Sequence, residues 1–318
     1  MLTYILFVLG FVVLIKGADL LVDGASSIAR KFRISPLVIG LTIVAFGTSA
    51  PELVVNIFAS ASGSSEIAIG NILGSNIANI LLILGISAAI YPLTSKKNTV
   101  WKEIPLCLLA ALVVGLLVND ALIDGTSFSV LSRIDGFILF SFFIIFLYYT
   151  FGIAKVGKED TDLKIKKYPL WKSIGFIVLG LAGLVFGGNW VIDGAVKIAE
   201  YFNISESLIG LTIVAVGTSL PELATSAIAA YKKQTDIAIG NVVGSNIFNI
   251  FWILGLSSII RPLPFNPIAN TDILMTIGAT IILFLLMFLG RKRVIERWQG
   301  IFMVLLYFVY TAFLIFTR

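Results

Sequence analysis

The sequence predicts an all-α polytopic membrane protein with ten transmembrane helices in two inverted five-helix repeats. Three observations predict this fold class. The 318-residue chain is 58% hydrophobic and only 13% charged, and its mean hydropathy of +1.02 is far above that of a soluble protein. Ten apolar stretches are long enough to cross a bilayer. The two halves of the chain also repeat each other in sequence.

Short polar connections separate the apolar segments. The longest of them, 152–172, is rich in Lys, Asp and Glu and divides the chain into a first repeat, 1–151, and a second, 173–318. The segments cover about 3–29, 36–61, 67–91, 103–119, 133–151, 173–199, 207–230, 237–260, 272–289 and 298–316.

Lysine and arginine are distributed unevenly among the connections. The connections that follow odd-numbered segments hold 18 of the 23 basic residues. The stretches that follow even-numbered segments, which lie on the opposite side of the membrane, hold three: Arg133, Arg261 and Arg318. Basic connections of a membrane protein stay on the cytoplasmic side. The sequence therefore predicts a multi-pass protein of the cell membrane with both termini outside the cytoplasm.

Two motifs occur once in each half at a constant offset of 170 residues. GLTIVAFGTSAPEL at 40–53 matches GLTIVAVGTSLPEL at 210–223 in 12 of 14 positions. EIAIGNILGSNIANI at 66–80 matches DIAIGNVVGSNIFNI at 236–250 in 11 of 15. Because each repeat has an odd number of segments, the second copy crosses the membrane in the opposite sense, a pattern typical of alternating-access transporters.

The proline of the first motif is expected to break its helix. Pro51 cannot donate a backbone hydrogen bond, and its ring clashes with the carbonyl four residues earlier, so the break should fall near Gly47. The break would gather hard oxygen ligands of the kind that bind hard metal cations. They belong to Ala45, Gly47, Thr48, Ser49 and Glu52 in the first half, and to Ala215, Gly217, Thr218, Ser219 and Glu222 in the second.

Glu52 and Glu222 lie near the middle of their segments, where the repeat axis can bring them together. A single copy of this motif is equally well explained as a structural helix break. Two carboxylates held close in a low-dielectric interior are costly unless cations compensate them. The presence of two inverted copies therefore predicts a cation site at the bilayer midplane.

The second motif can complete such a site. Its glycine pairs, Gly70 with Gly74 and Gly240 with Gly244, have the spacing of closely packed membrane helices, which explains a lone copy without any site. Residues four apart share a helix face. The pairs that do so here are Ser75 with Asn79 and Ser245 with Asn249. The other amides, Asn71, Asn76, Asn241 and Asn246, are expected to hydrogen-bond to the broken helices or their neighbours, without an ion role.

Other acidic residues have structural explanations. Asp19, Asp23 and Asp193 lie toward segment ends, where they are expected to pair with basic neighbours or to reach the interface. The basic neighbours in sequence are Lys16, Arg30 and Lys197.

Composition excludes several classes of chemistry. The chain has no histidine and a single cysteine, Cys107, so histidine triads, Cys/His zinc sites and disulfides are unavailable to it. No phosphate-binding loop is present, so the energy for transport would come from another ion gradient. We expect no enzymatic activity, no cofactor, no nucleic acid and no obligate protein partner, with the lipid bilayer as the surroundings.

Taken together, the residues resemble the calcium/cation antiporter superfamily, and prokaryotic sodium/calcium exchangers most of all. The resemblance spans essentially the whole chain and includes a G-T-S-x-P-E and a G-N-x-x-G-S-N-I motif in each half. It implies a compact core of segments 2, 3, 7 and 8, across which the long segments 1 and 6 slide. Proton-coupled relatives usually carry G-N-x-x-E in place of G-S-N-I.

The resemblance also implies roles for individual residues. Glu52 and Glu222 would be the central carboxylates. Thr48, Thr218 and the carbonyls of Ala45 and Ala215 would lie beside them, and Ser49, Ser75, Ser219 and Ser245 would line flanking sodium positions. Several family members carry Asp where this chain has Asn249, a departure that argues against potassium co-transport.

The expected function is Na⁺/Ca²⁺ antiport that normally extrudes Ca²⁺, with both ions as substrates. Proton-coupled Ca²⁺ exchange through the same carboxylates is the alternative. An intramembrane aspartyl protease would also use two membrane carboxylates, but the G-x-G-D element of such proteases does not accompany these. A passive cation channel is disfavoured because the repeats place the acid pair at one central site instead of around a pore.

Overall fold

The computed structural model describes residues 2–154, 167–201 and 215–317, which are almost entirely helical. The helices are α1 (Leu2–Phe32), α2 (Pro36–Thr48), α3 (Ala50–Ser62), α4 (Ser65–Ile90), α5 (Thr99–Leu117), α6 (Asp120–Ile123), α7 (Arg133–Ala154), α8 (Leu170–Tyr201), α9 (Ala215–Thr218), α10 (Leu220–Tyr231), α11 (Thr235–Ile260), α12 (Asn270–Leu286) and α13 (Arg297–Thr317). Four of them contain π-helical turns, at Gly40–Val44, Ala78–Ile83, Thr99–Glu103 and Phe248–Leu254.

The protein is an all-helical polytopic membrane protein. Among the described residues, eight helices are long and apolar enough to cross a membrane, and the bent pair α2–α3 makes a ninth span. The expected segment 207–230 lies partly outside the described residues, which include its α9 and α10, and most of the linker 152–172 lies outside them as well. The count of ten spans in two repeats therefore stays a prediction.

Burial separates central helices from peripheral ones. The share of buried residues in the most apolar stretch differs widely between helices. This share is 94% in α11 and 78% in α4, but only 11% in α13. A membrane helix that faces lipid keeps its apolar side chains exposed, whereas one buried in protein can carry polar groups. The second-motif helices are therefore the ones suited to hold buried polar side chains.

The long helices α1 and α8 pack against each other through glycine. An added Cβ on Gly17 would lie 2.8 Å from the carbonyl oxygen of Gly180, and one on Gly180 would lie 2.7 Å from the backbone nitrogen of Leu21. Small residues let two membrane helices bring their backbones close together, where dispersion forces hold them. Neither Gly17 nor Gly180 therefore has room for a side chain.

Two small antiparallel sheets join connections on opposite faces of the bundle. Strand β1 (Leu93–Thr94) pairs with β4 (Val294–Ile295), and β2 (Val130–Leu131) pairs with β3 (Leu263–Pro264). The first sheet joins two of the basic connections, and the second joins two connections of the other set. Each sheet ties one half of the chain to the other.

An ion-pair cluster holds the C-terminal half of α1, which bears Asp19 and Asp23. Lys232, on the connection between α10 and α11, lies 2.7 Å from Asp19 Oδ1 and 2.5 Å from Asp23 Oδ1. This partner comes from a connection in the other half of the chain and is not one of the neighbours in sequence that we expected. The expected partner of Asp193, Lys197, donates a 2.9 Å hydrogen bond to Thr3 Oγ1.

Candidate cation-binding site

The two G-T-S-x-P-E motifs each form a helix break that places a glutamate in a first turn. Helix α2 ends at Thr48 and α3 begins at Ala50, with an angle of 48° between them. The break falls at Ser49, two residues beyond the expected Gly47, because a proline in the first turn of a new helix needs no hydrogen-bond acceptor. In the second half, Ser219 likewise precedes α10, in which Glu222 occupies the first turn.

Both glutamates are buried in the interior. Glu52 is 1% exposed and Glu222 is fully buried. The N-terminus of a helix carries partial positive charge, so a first-turn carboxylate is a favourable placement. That effect is small compared with the cost of removing a carboxylate from water, so other groups must compensate the two charges.

Each carboxylate accepts a hydrogen bond from the break of the other half. Ser49 Oγ donates to Glu222 Oε1 at 3.0 Å, and Ser219 Oγ donates to Glu52 Oε1 at 3.3 Å. These four residues exchange places under the 170-residue offset. The two helix breaks therefore form one shared polar centre.

The serines of the second motif join the same centre. Ser75 Oγ donates to Glu52 Oε1, and Ser245 Oγ donates to Glu222 Oε1, each at 3.4 Å. Ser75 also lies 3.3 Å from Ser219 Oγ. The structure thus brings together both glutamates and all four serines that the sequence assigned to the site.

Four oxygen atoms of the two repeated motifs are buried and have no hydrogen-bond partner within the described part of the chain. They are Glu52 Oε2, Glu222 Oε2, Asn79 Oδ1 and Asn249 Oδ1. A buried polar atom left unpaired costs about 1–3 kcal/mol, and more when it is charged. All four are acceptors without protons, and they are the oxygen types that bind Na⁺ and Ca²⁺.

Two further asparagines hold Asn79 and Asn249 in place. Asn79 Nδ2 donates to Asn246 Oδ1, and Asn249 Nδ2 donates to Asn76 Oδ1, both at 2.9 Å. Asn76 and Asn246 in turn donate to each other's backbone carbonyls at 3.2 and 3.3 Å. Because the amide nitrogens are used in these bonds, the Oδ1 atoms of Asn79 and Asn249 are free to accept a cation.

Thr48 and the Ala45 carbonyl stabilise the helix break. Thr48 Oγ1 donates to Asn241 Oδ1 at 3.0 Å and lies 3.4 Å from the Ala45 oxygen. That carbonyl also accepts the Ser49 N–H at 3.0 Å. Because the single Thr48 hydroxyl proton is donated to Asn241, this arrangement leaves one lone pair of the Ala45 carbonyl without a hydroxyl donor. Thr218 is 8% exposed, and Ala215 begins α9 next to residues outside the described range.

Two buried acids outside this centre were missed by the sequence analysis. Glu103 is fully buried and accepts a hydrogen bond from Tyr149, and Asp272, 5% exposed, accepts one from Tyr310. In each half the tyrosine comes from the last helix, α7 or α13. The two acids are 169 residues apart, close to the offset of the motifs, and that near-repeat was the signal that could have found them.

The candidate centre carries a charge of about −2 when both carboxylates are ionised. Among residues 2–154, 167–201 and 215–317, no group of three or more His, Cys, Asp or Glu side chains is placed to hold a metal ion. Hydroxyl and amide oxygens therefore have to supply the remaining ligands. A site of this type suits one divalent or two monovalent cations.

Comparison with known proteins finds relatives over almost the whole chain. The family model described as "Sodium/calcium exchanger protein" matches residues 2–152 and 172–316. A putative antiporter, CaxA of Alkalimonas amylolytica, is 41% identical over 321 residues, 98% of this chain and 98% of its own. The sodium/calcium exchanger MaX1 of Methanosarcina acetivorans is 34% identical, over 98% of this chain and 97% of its own.

A solved structure has the same fold. The sodium-calcium exchanger NCX_Mj, soaked with 2.5 mM Na⁺ and 0.1 mM Ca²⁺, superimposes with a TM-score of 0.83 at 36% identity. The match covers 98% of each chain. The helical arrangement and the overall sequence similarity therefore point to one family.

Proposed function

The chain belongs to the sodium/calcium exchanger protein family, and on this premise we propose that it exchanges Na⁺ for Ca²⁺ by alternating access. Its relatives are transporters and not enzymes. The observation that carries the proposal is the buried centre in which Glu52 and Glu222 each keep one carboxylate oxygen unpaired among the described residues.

The charge of the centre supports competition between the two ions. One Ca²⁺ neutralises the carboxylates of Glu52 and Glu222, and two Na⁺ do the same. A cycle that carries a third Na⁺ moves net charge and responds to membrane potential. Because both ions use the same oxygen atoms, binding of one excludes the other.

Coupling follows from the cost of the empty site. Two ionised carboxylates without a cation are strongly destabilised in a dry interior. The conformational change that carries the centre from one side to the other is therefore unfavourable unless ions are bound. This penalty keeps Ca²⁺ movement linked to Na⁺ movement.

The serine hydroxyls support sodium over protons as the coupling ion. Ser49, Ser75, Ser219 and Ser245 donate their protons to the glutamates, and each oxygen keeps lone pairs that can bind a cation. A proton-driven cycle needs only the carboxylates and gives these hydroxyls no ion to bind. Proton-coupled exchange is the second candidate, and the same two glutamates would carry it.

The repeated contacts support inverted five-helix repeats, 1–151 and 173–318, joined by the linker 152–172. The hydrogen bond from Ser49 to Glu222 has its counterpart from Ser219 to Glu52, as a two-fold axis between the halves requires. With the basic connections facing the cytoplasm, both termini lie outside. In the cell membrane, the inward Na⁺ gradient would then drive Ca²⁺ outward.

Ion exchange in proteoliposomes tests the proposal. Vesicles loaded with Na⁺ and diluted into Na⁺-free medium with labelled Ca²⁺ should accumulate Ca²⁺, and external Na⁺ should suppress this uptake competitively. Vesicles loaded with choline provide the control. Equal uptake driven by a pH gradient without Na⁺ would replace sodium coupling with proton coupling, and uptake that needs no counter-ion would overturn antiport.

A further inference from the structure

A basic cavity lies on the face of the bundle opposite the β2–β3 sheet. It has a volume of about 380 Å³ and is lined by residues 94–98, Lys292 and Arg293. The first set follows α4 in the first half of the chain, and the second follows α12 in the second half. Strands β1 and β4 hold the two connections together, and Ser95 N donates to the Arg293 carbonyl at 2.8 Å.

The cavity gathers four cationic side chains. They are Lys96, Lys97, Lys292 and Arg293. Lys96 lies 3.6 Å from Asp236. In the described part of the chain, no carboxylate lies within 4 Å of the other three. The hydroxyl of Thr94 and the amide of Asn98 add neutral donors.

The neighbouring arginine is neutralised separately. Arg291 Nε donates to Glu296 Oε1 at 2.9 Å, and this hydrogen bond lowers the pKa of the Glu296 carboxyl from its ordinary value. Glu296 thus stays ionised beside Arg291. Glu296 therefore neutralises Arg291 and not the cations of the cavity, which keeps an excess of positive charge.

Membrane orientation alone does not account for this arrangement. The positive-inside rule depends on how many Lys and Arg residues flank the spans and not on whether they converge. Here two connections about 195 residues apart in sequence are paired so that their cations surround one space. Like charges brought together repel one another, and a bound anion with several oxygen atoms removes that repulsion.

Exposed aromatic side chains place the cavity beside the lipid. Trp101, three residues after Asn98, is 56% exposed, and its ring lies 5.5 Å from that of Phe288, which is 40% exposed. Phe288 precedes Lys292 by four residues. Tryptophan is enriched at the level of the lipid headgroups. Both elements that supply the cations therefore also present apolar rings to the membrane.

We propose that this cavity binds the phosphate group of an anionic phospholipid in the adjacent leaflet. The phosphate oxygens would accept hydrogen bonds from Lys97, Lys292 and Arg293, and the acyl chains would lie along Trp101 and Phe288. Basic pockets between membrane helices on the cytoplasmic side bind anionic headgroups in this way. The lipid would bridge the two halves of the chain across β1 and β4.

Lipid binding to the purified full-length chain tests the proposal. Phosphatidylglycerol added to the detergent-solubilised protein should raise its apparent Tm, and phosphatidylcholine should not, because a ligand that binds only the folded state stabilises it. The triple variant Lys97→Gln, Lys292→Gln, Arg293→Gln should bind phosphatidylglycerol at least about tenfold more weakly in native mass spectrometry.

The matched control removes the same charge from the same face but outside the cavity. The variant Lys31→Gln, Arg33→Gln, Lys167→Gln alters three exposed basic side chains and should keep the affinity of the unaltered protein. An equal loss of affinity in both variants would show that binding depends only on net charge, and it would overturn the proposed lipid site. If inorganic phosphate alone reproduced the Tm shift, a soluble anion and not a lipid would be the ligand. If the triple variant does not fold, the single variant Lys292→Gln replaces it, because this side chain is exposed. It should also bind phosphatidylglycerol more weakly than the unaltered protein.

Discussion

Folding and ion binding place opposite demands on Glu52 and Glu222. Folding favours apolar or fully hydrogen-bonded groups at positions that are 1% exposed or less. Ion binding needs oxygen atoms that the protein leaves unpaired. Each glutamate meets both demands, because Oε1 accepts the serine hydroxyls while Oε2 has no partner among the described residues.

Neutralising either glutamate should abolish exchange. Glu52→Gln and Glu222→Gln keep the shape of the side chain but remove the charge that draws a cation from water, so Na⁺-dependent Ca²⁺ uptake should fall to the level of protein-free vesicles. Expression and elution on size exclusion should stay near normal. Uptake close to that of the unaltered protein in either variant would refute the assigned site.

The control for these variants is Asp124→Asn. Asp124 is exposed on the connection before β2, and the change removes the same charge outside the spans. Asp120, on the same connection, is less suitable because its Oδ2 accepts the Val130 N–H at 2.9 Å. Asp124→Asn should transport Ca²⁺ at the rate of the unaltered protein.

Asn76 should affect Ca²⁺ affinity without binding the ion. Asn76→Ala removes the acceptor that holds the Asn249 amide and the donor to the Asn246 carbonyl. Loss of a group that orients a ligand typically weakens ion affinity about 10- to 100-fold, so the KM for Ca²⁺ should rise while the maximal rate changes little. An unchanged KM would show that Asn249 does not depend on Asn76.

Asn119→Ala is the matched control for that effect. Asn119 donates to the Gly115 carbonyl at 2.7 Å and to Asn270 Oδ1 at 2.8 Å, and its Oδ1 accepts a hydrogen bond from Asn270 Nδ2 at 2.8 Å. Truncation therefore removes three hydrogen bonds, one more than Asn76→Ala removes. It lies at the end of α5, and its bonds do not include the serine and glutamate cluster. It should lower stability and leave the KM for Ca²⁺ unchanged.

At the scale of single residues, the repeated motifs predicted which side chains meet but not how they are used. The constant offset predicted that Glu52 and Glu222 would share one centre with four serines, because a two-fold axis relates the copies. The hydrogen bonds of the Ala45 carbonyl depend on the local path of the chain after the break. The pairing of Asp19 and Asp23 with Lys232 depends on which spans are neighbours, and no local pattern encodes that.

At the scale of helices, glycine decides how close the long spans approach each other. Gly180→Ala should lower the apparent Tm, because the added Cβ would lie 2.7 and 2.8 Å from backbone atoms of α1. Overpacking of this kind typically costs about 1–3 kcal/mol. Thermal unfolding in detergent, followed by tryptophan fluorescence, measures the change.

Gly175→Ala provides the comparison on the same helix. An added Cβ there meets no described atom within 4 Å, and alanine stabilises a helix by about 0.5–1 kcal/mol relative to glycine. The two substitutions are chemically identical, so opposite shifts in Tm would identify the α1–α8 contact as the cause. Equal shifts would show that the close approach does not matter for stability.

Helices α5 and α12 show the limit of hydropathy as a predictor of burial. The apolar segments gave the positions of the fully described spans to within a few residues, because a bilayer demands apolar length. They did not reveal that Glu103 and Asp272 are buried, since both stand at the first position of an expected segment, where contact with water is usual. Their hydrogen bonds to tyrosines on α7 and α13 depend on how the helices pack, which hydropathy does not predict.

At the scale of the whole molecule, the connections sort into two faces. Sheet pairing joins β1 with β4 on one face and β2 with β3 on the other, in agreement with the alternation that the basic residues predicted. Across the second face, Arg261 also donates to the Ala61 carbonyl at 3.5 Å and Asn266 to Glu66 Oε1 at 3.0 Å. The direction of the whole bundle in the membrane rests on charge alone.

Labelling of single cysteines tests that direction. In a Cys107→Ser background, which removes a buried thiol, Ser127→Cys should react with an impermeant thiol reagent added to intact cells. Lys31→Cys should react only after the membrane is permeabilised. Both positions are exposed, so access of the reagent and not burial decides the outcome. The reverse pattern would place both termini in the cytoplasm and leave the fold unchanged, since an inverted repeat has the same number of spans in either orientation. It would also move the basic cavity to the outer leaflet, which makes labelling an independent check on the membrane face where the anionic lipid is expected.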